Sequence, residues 1–320
     1  MNTGPTRGAT IETDPITDFE TMVRRLKASI IIPVKNDARL LEQTLKALRP
    51  QLEQLPNTEV IVVDNGSSDE TESVAKAHDD VYFLQELSHD SSPYSARNLG
   101  VVNAIGDVLI FLDASCVPSE SWLITGLRAM VENDCDLLGG NVVFTYSARP
   151  SLGEIVDSIK NIQNERTITR FGFAATANLF VKREVFETLG PFPSAIRSGG
   201  DVRWTKLASS QGYLISYCPQ AIVHKPARGF SQLVRKERRT SQGSVAIGND
   251  SGRHAPMIRN KLTRCLLPFD PIRAFRKLSE VQPGKAPMLI LPVMATLWYL
   301  RAVSLISYLR ELARQRASTR

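Results

Sequence analysis

The chain has 320 residues, 42% of them hydrophobic and 22% charged, a composition that supports a packed core and one large or two small domains. Its net charge of +6 is uneven, with Arg235, Lys236, Arg238, Arg239, Arg253, Arg259, Lys261 and Arg264 crowded together. No recognition module accompanies that basic stretch, so nucleic acid is excluded as a partner, and Cys116, Cys135, Cys218 and Cys265 lie too far apart for a metal finger.

The first 15 residues are rich in Thr, Gly and Pro, lack the basic and apolar run of a signal peptide, and are expected to be mobile. Phe19, Met22, Val23 and Leu26 then fall at helical spacing. Residues 29–33 predict a first strand, and Leu41, Leu45, Leu48, Leu52 and Leu55 trace one face of a helix. A second strand is expected at 60–63, and Ser67 with Glu70 has the spacing of a capping box for a helix reaching about His78. A third strand at 81–84, a helix from Tyr94 to Ile105 and a fourth strand at 108–112 complete a β-α-β-α-β-α-β series. Pro118 suits the first turn of the next helix.

The second half is mixed, with strands expected at 142–146, 177–181 and 213–217 and helices at 183–190 and 201–211. The expected architecture is α/β: a doubly wound, mostly parallel sheet, a mixed second half, and C-terminal helices. The first loop lacks both Gly-x-Gly-x-x-Gly and the P-loop Gly-Lys-Ser/Thr, which disfavours a dinucleotide fold and a P-loop ATPase.

Two acids end apolar strands. Asp64 follows Val60-Ile61-Val62-Val63, and Asp113 follows Val108-Leu109-Ile110-Phe111-Leu112. Open α/β sheets bind ligands at such strand ends. Asp64 reads either as a contact to a base or ribose or as part of a turn. Asp113 reads as a metal or ribose ligand, since hard cations want carboxylate oxygen. Asp201 opens a helix after Ser198-Gly199-Gly200, as a general base or only as a cap. His224, next to Lys225 and Arg228, reads as a metal or diphosphate contact, and Arg97 as a phosphate grip or a local ion pair.

Several segments together resemble family 2 glycosyltransferases with the GT-A fold. They are Ile31-Ile32-Pro33-Val34-Lys35-Asn36, Val62-Val63-Asp64-Asn65-Gly66-Ser67-Ser68-Asp69, Ala96-Arg97-Asn98-Leu99-Gly100, the strand ending in Asp113-Ala114, Thr176-Ala177-Asn178-Leu179-Phe180-Val181, Gly200-Asp201 and Val223-His224. The similarity covers about residues 28–230. It implies that Pro33, Asn36, Asp64, Arg97, Asp113 and Ala114 bind the donor, that Asp201 is the catalytic base, and that Asp113 and His224 hold a divalent cation, Mn or Mg. Ser115 replaces the second acid of Asp-x-Asp, which weakens that metal expectation. Gly200 stands where many relatives carry another acid.

The resemblance implies an inverting enzyme that moves a sugar from a nucleotide-diphosphate donor, UDP-linked in the first instance, to a hydroxyl acceptor, saccharide or lipid-linked. With Ser115 in place, Lys225, Arg228 and the basic residues 235–239 are expected to supply part of the charge on the diphosphate. The rival reading is a non-catalytic sugar-nucleotide binder on the same fold. Donor choice is expected to depend on Asn141, Asn178 and Phe173.

The chain is expected to divide into an N-terminal stretch (1–27), a nucleotide-sugar half (28–115), an acceptor half of the same domain (116–230) and a basic and apolar helical tail (231–320). In that tail, residues 286–309 are apolar but for Arg301, near the roughly 20 residues a membrane span needs. Three readings stand: a helix lying in a membrane interface, a true span, or a buried helix that could form a homodimer. Arg310, Arg314, Arg316 and Arg320 beyond it suit an anionic surface, so the expected place is the cytoplasm at the inner face of the cell membrane.

Overall fold

The computed structural model describes residues 15–87, 92–194, 196, 198–251, 254–266 and 270–318. The expected mobile stretch before Pro15 and the basic residue Arg253 lie outside them.

Apolar runs build the sheet. Strands β1 (Ala28–Val34), β2 (Thr58–Asp64), β3 (Val81–Gln85) and β4 (Val108–Leu112) are parallel, in the order β3-β2-β1-β4. Successive side chains on a strand go to opposite faces. Ile30, Ile32, Val60, Val62 and Ile110 therefore enter one core, while Ile31, Ile61, Val63, Leu109 and Phe111 enter the other. Both faces are covered, which is why these strands read as unbroken apolar runs. Helices α1 (Pro15–Arg25), α2 (Ala38–Gln54) and α5 (Trp122–Glu132) cover the first face, and α4 (Pro93–Asn103), α8 (Arg183–Leu189) and α9 (Gly200–Ser210) the second. The chain runs outward from β1 through β2 and β3, then returns to place β4 on the other side of β1. The β1–β4 boundary is thus a switch point, where open α/β sheets form their ligand crevice at the carboxyl ends of the strands.

The second half extends the sheet antiparallel to β4. β7 (Asn178–Lys182) pairs with β4 and with β6 (Leu137–Thr145); β8 (Ile215–Pro226) runs parallel to β6, and β5 (Val117–Pro118) closes the far edge. The expected α/β class, with a mostly parallel first half, a mixed second half and C-terminal helices, is the one observed.

Local expectations fail in instructive places. Pro118 is in edge strand β5, not in a helix, and α5 begins at Trp122; an edge tolerates a residue with no N–H. β6 starts at Leu137, five residues before the expected 142, and runs through Gly139-Gly140. Those glycines are there for contact, not for turning. A Cβ at Gly139 would overlap the Ile168 side chain, and one at Gly140 would overlap Asn178. Ser67 and Glu70 form no capping box. α3 (Thr71–Lys76) has no side-chain hydrogen bond from its N-cap Glu70, and the Ser67 hydroxyl turns back to Asp64. The expected strand at 213–217 is the start of a twelve-residue β8 that carries His224 within it.

Helices α6 (Leu152–Lys160) and α7 (Asn164–Phe171) flank β6, and α10 (Phe230–Ser251), α11 (His254–Leu266), α12 (Pro271–Val281) and α13 (Ala286–Ser318) form a separate layer against α6. The apolar stretch of α13, Ala286–Ala317, is long enough to cross a membrane, and 33% of its best window is buried. Val293, Leu297, Leu300 and Val303 pack inward, whereas Met288, Leu291, Trp298, Ile306 and Leu309 are exposed.

Candidate active site

The β1 and β2 end of the site is two interlocked turns. Asp64, buried at the end of β2, accepts from the Ser67 N–H at 3.1 Å and from the Ser67 hydroxyl. Asn36 follows β1 in a left-handed conformation (φ 51°), which asparagine tolerates. Its N–H donates to Ser67 Oγ at 2.8 Å, and its Oδ1 accepts from the Ser68 N–H at 2.7 Å. Asp69 accepts from the Ala38 N–H and so joins the second turn to the start of α2. The turn reading of Asp64 is the one seen in its hydrogen bonds, and that turn lies at the strand ends. Asn65 Oδ1, beside it, is buried without a partner. A bound ligand is one ordinary explanation of such an atom. Pro33 pairs with Val63 within the sheet and is half-buried.

The centre is built on the loop after β4. Asp113 Oδ1 accepts from Arg97 at 2.8 Å and Oδ2 accepts from Lys225 Nζ at 3.2 Å. Lys225 is 2% exposed. Its ammonium also donates to Ser115 Oγ at 2.5 Å and to Cys116 Sγ at 3.5 Å, so its three N–H donors match three acceptors on a single loop. Burial alone would raise the Asp113 carboxyl; the Lys225 and Arg97 charges overcome it and hold the group at about 2. Burial alone would lower Lys225, and the Asp113 carboxylate raises it instead. Burial pushes the Cys116 thiol up to about 11, so it faces the ammonium as a neutral thiol. Arg97 is 5% exposed, donates also to the Pro93 carbonyl, and keeps a buried Nε without a partner. Ala114 is packed in the core and its carbonyl accepts from Thr44, so its side chain offers the crevice nothing.

The third part brings α4 and α9 together. Tyr94, in the first turn of α4, donates from its hydroxyl to Asp201 Oδ1 at 3.0 Å and lies 5.7 Å from the Arg97 guanidinium. Burial first, and then the Asp201 charge, raises the Tyr94 phenol, so it stays a donor. A Cβ on Gly200 would stand 2.9 Å from that ring. The missing second acid thus has a physical cause: the tyrosine ring fills its place. Gly199 before it has φ 82°, a left-handed turn that aims Asp201 at the ring.

His224 is not brought to this centre. Ala221, Val223 and Lys225 form the buried row of β8, and strand alternation assigns His224 to the other row. Asp113 is then left with a hydroxyl, a thiol and an ammonium. A divalent cation wants several hard oxygen ligands and is repelled by an ammonium. Among the described residues no group of three or more His, Cys, Asp or Glu is placed to hold a metal. The residues present do not fit the implied divalent cation. Asn178, expected to shape donor choice, is fully buried; it accepts from Trp122 and donates to the Asn141 and Ala221 carbonyls, bridging the register shift of β6 on β8.

Four further residues of the site carry little sign of it in the sequence. Tyr94 reads there only as a helix start. Asp37 sits in no motif, yet its carboxyl is raised by burial and feels both Lys225 and Asp113. Asp157, 0% exposed, accepts from the Arg228 N–H at 2.9 Å and its guanidinium at 3.4 Å. Lys236, one of a basic run, is lowered to about 7 by burial and then by the Arg228 charge. Only the Lys225-Pro226-Ala227-Arg228 segment hints at this cluster.

Residues 29–190 match the family model described as glycosyl transferase family 2. Glycosyltransferase AglE of Haloferax volcanii is 40% identical over 223 residues, 68% of this chain and 73% of that protein. The O-antigen chain rhamnosyltransferase RfbN of Salmonella typhimurium is 27% identical over 62% of this chain and 66% of its own length. Among solved structures, S. aureus TarS 1-349 in complex with UDP matches with a TM-score of 0.52 at 17% identity, covering 92% of each chain, a likeness of fold. The chain belongs to glycosyl transferase family 2 and is a glycosyltransferase.

Proposed function

We propose that the protein transfers a sugar from a nucleoside-diphosphate donor, UDP-linked in the first instance, to a hydroxyl acceptor with inversion at the anomeric carbon. The observation that carries this reading is the line of polar contacts from Asp201 through Tyr94 and Arg97 to Asp113 and Lys225. The nucleoside lies against the Asn36 and Asp64 turns, where Asn65 Oδ1 lacks a partner. Tyr94 holds one carboxylate oxygen of Asp201, leaving Oδ2 to take the acceptor's proton as the hydroxyl attacks. The C–O bond to the diphosphate breaks in the same displacement, and negative charge collects on the leaving group.

That charge needs a preorganised positive partner. Asp113 is held between two cations, Arg97 and Lys225, which supply that positive partner. In this reading the Lys225 ammonium takes the place of a divalent cation. Half-buried Lys236 adds a cation when a diphosphate arrives and restores its proton. The chain acts at the cytoplasmic face of a membrane, with the exposed apolar side of α13 in the interface and an acceptor that is a saccharide or lipid-linked.

The test is product stereochemistry by NMR with a panel of nucleotide sugars, beside Asp201→Asn. An inverted anomer from wild type and a loss of turnover on the order of 10²–10⁴-fold in the variant support the reading. Binding of nucleotide sugars without any transfer or hydrolysis would favour the non-catalytic binder.

A further inference from the structure

Asp157 is the buried acid that the proposed reaction leaves without a task. It sits in α6 and has no exposed surface. A carboxylate so fully removed from water needs compensating partners. Asn161, four residues on, donates to Oδ1 at 2.6 Å. Oδ2 accepts from the Arg228 N–H at 2.9 Å and from the Arg228 guanidinium at 3.4 Å. The main chain and the side chain of one arginine are thus tied to one oxygen. The surrounding packing is equally close. A Cβ on Gly153 would overlap the main-chain atoms of Gly229 and Phe230, so α6 meets the segment after Arg228 backbone to backbone. Ser151 and Glu154 form a capping box at the start of α6, and Glu154 also accepts from Ser147, which fixes the helix in place.

Arg228 also belongs to the seat. Its charge acts on Asp113, Cys116, Lys225 and Lys236. Its side chain is 27% exposed, and among the described residues its guanidinium makes one hydrogen bond, the long one to Asp157. A guanidinium has five N–H donors, so most of these are open. Such a group suits phosphate oxygens, which it can take with two parallel bonds. Without a tie, repulsion from Lys225 and Lys236 and the arginine's own rotamer freedom would carry it out into water. The hold from Asp157 opposes both. The far end of α6 is used differently: Lys160 pairs with Glu237 and, with Lys261 and Arg264, lines a cavity of about 450 Å³ between α6 and the C-terminal helices.

We infer that Asp157 is a positioning residue for the transfer: it holds Arg228 at the edge of the seat, where the open N–H groups of that arginine take the donor's diphosphate beside Lys225. The inference rests on the donor reading proposed above and deepens it, with Asp157 acting only through Arg228. Three observations find one cause in it. They are an acid buried completely, an arginine tied twice to one oxygen, and a glycine that lets the two segments touch.

UDP, GDP and dTDP are titrated on the full-length protein by calorimetry, and the one that binds best is carried through the variants. Arg228→Gln should weaken it by about tenfold, as expected for loss of a charge-assisted contact, and Asp157→Asn by a similar factor. The double variant should lose no more than the larger single loss, because one residue acts through the other. The parent nucleoside has no phosphate for Arg228, so in ligand-observed NMR it should bind wild type and Asp157→Asn alike. Full diphosphate affinity in Asp157→Asn, losses that multiply in the double variant, or a parallel loss for the nucleoside overturns the inference. Arg228→Lys serves should Asp157→Asn fail to fold. A lysine can meet the buried carboxylate or a phosphate but not both, so affinity should fall by about fivefold or more, and wild-type affinity there overturns the hold. A wild type that binds none of the three diphosphates removes the donor reading itself, and this inference with it.

Discussion

The molecule holds two clusters of positive charge that are built in opposite ways. In the seat after β4, each N–H of Lys225 has an acceptor, and Asp113 joins that lysine to Arg97. In the C-terminal cavity, cations outnumber acids, and Lys261 is lowered by burial and by neighbouring charges. The first cluster is fixed before any ligand arrives, which is what stabilising charge in a transition state requires. In the second, like charges act on one another, and Arg264 and Lys160 lower Lys261 further. Similar residue types are therefore arranged in two ways: in one set the charges are matched by acceptors, in the other like charges face one another.

The contrast can be broken most severely at Lys225. Lys225→Met should lower turnover by about 10²–10³-fold, the usual loss for a donor aimed at developing charge. Arg264→Gln should leave turnover on a soluble acceptor within about threefold, since the effects of residues without shared partners stay separate. Steady-state kinetics on the two variants, side by side, checks both.

A second break lies in stability. Asp113→Asn leaves Lys225 and Arg97 buried without their carboxylate and should cost about 3 kcal/mol in denaturant unfolding. The sign with pH follows from the depressed carboxyl. Its stabilisation is complete above the ordinary aspartate value of about 3.9 and is lost as the pH falls through about 2. The gap between wild type and Asp113→Asn should therefore close between about pH 4 and pH 2. Arg264→Gln, which relieves repulsion, should show no loss of stability.

The smallest effect sharpens the boundary between the two clusters. Lys236 at about 7 is mostly neutral at pH 8, and a diphosphate should restore its proton. Calorimetry of nucleotide binding at pH 8, in buffers of different ionisation enthalpy, should show uptake of up to one proton in wild type. Lys236→Gln should abolish it.

Much of the first cluster is legible in the sequence. Asp64 and Asp113 announce themselves because each ends an unbroken apolar strand, and Asp201 because a glycine pair precedes a helix. Tyr94 is not legible, since its partner Asp201 lies 107 residues away in the chain and only the packing of α4 on α9 joins them. Lys225 reads as one member of a basic region. Its real place follows from the alternation of β8, a strand expected to stop near residue 217 that instead runs to Pro226. The same shortfall misplaces His224, because within a strand its neighbour's entry into the core sends it outward. The start of β6 is hidden by Gly139-Gly140, which look like a turn but exist to admit Ile168 and Asn178. α6 is short and packs on helices of the tail, and its one local mark is the Ser151–Glu154 capping box; α7 is shorter still and is held by the sheet through Ile168.

The measurement that bears most directly on the central claim is calorimetric titration of the wild-type enzyme with the nucleoside diphosphate it binds best, in excess chelator and again with Mn2+. A built-in ammonium in the cation's place predicts the same Kd within about twofold in both, with Lys225→Met weakened in both. Binding that vanishes in chelator and returns with Mn2+ would contradict it.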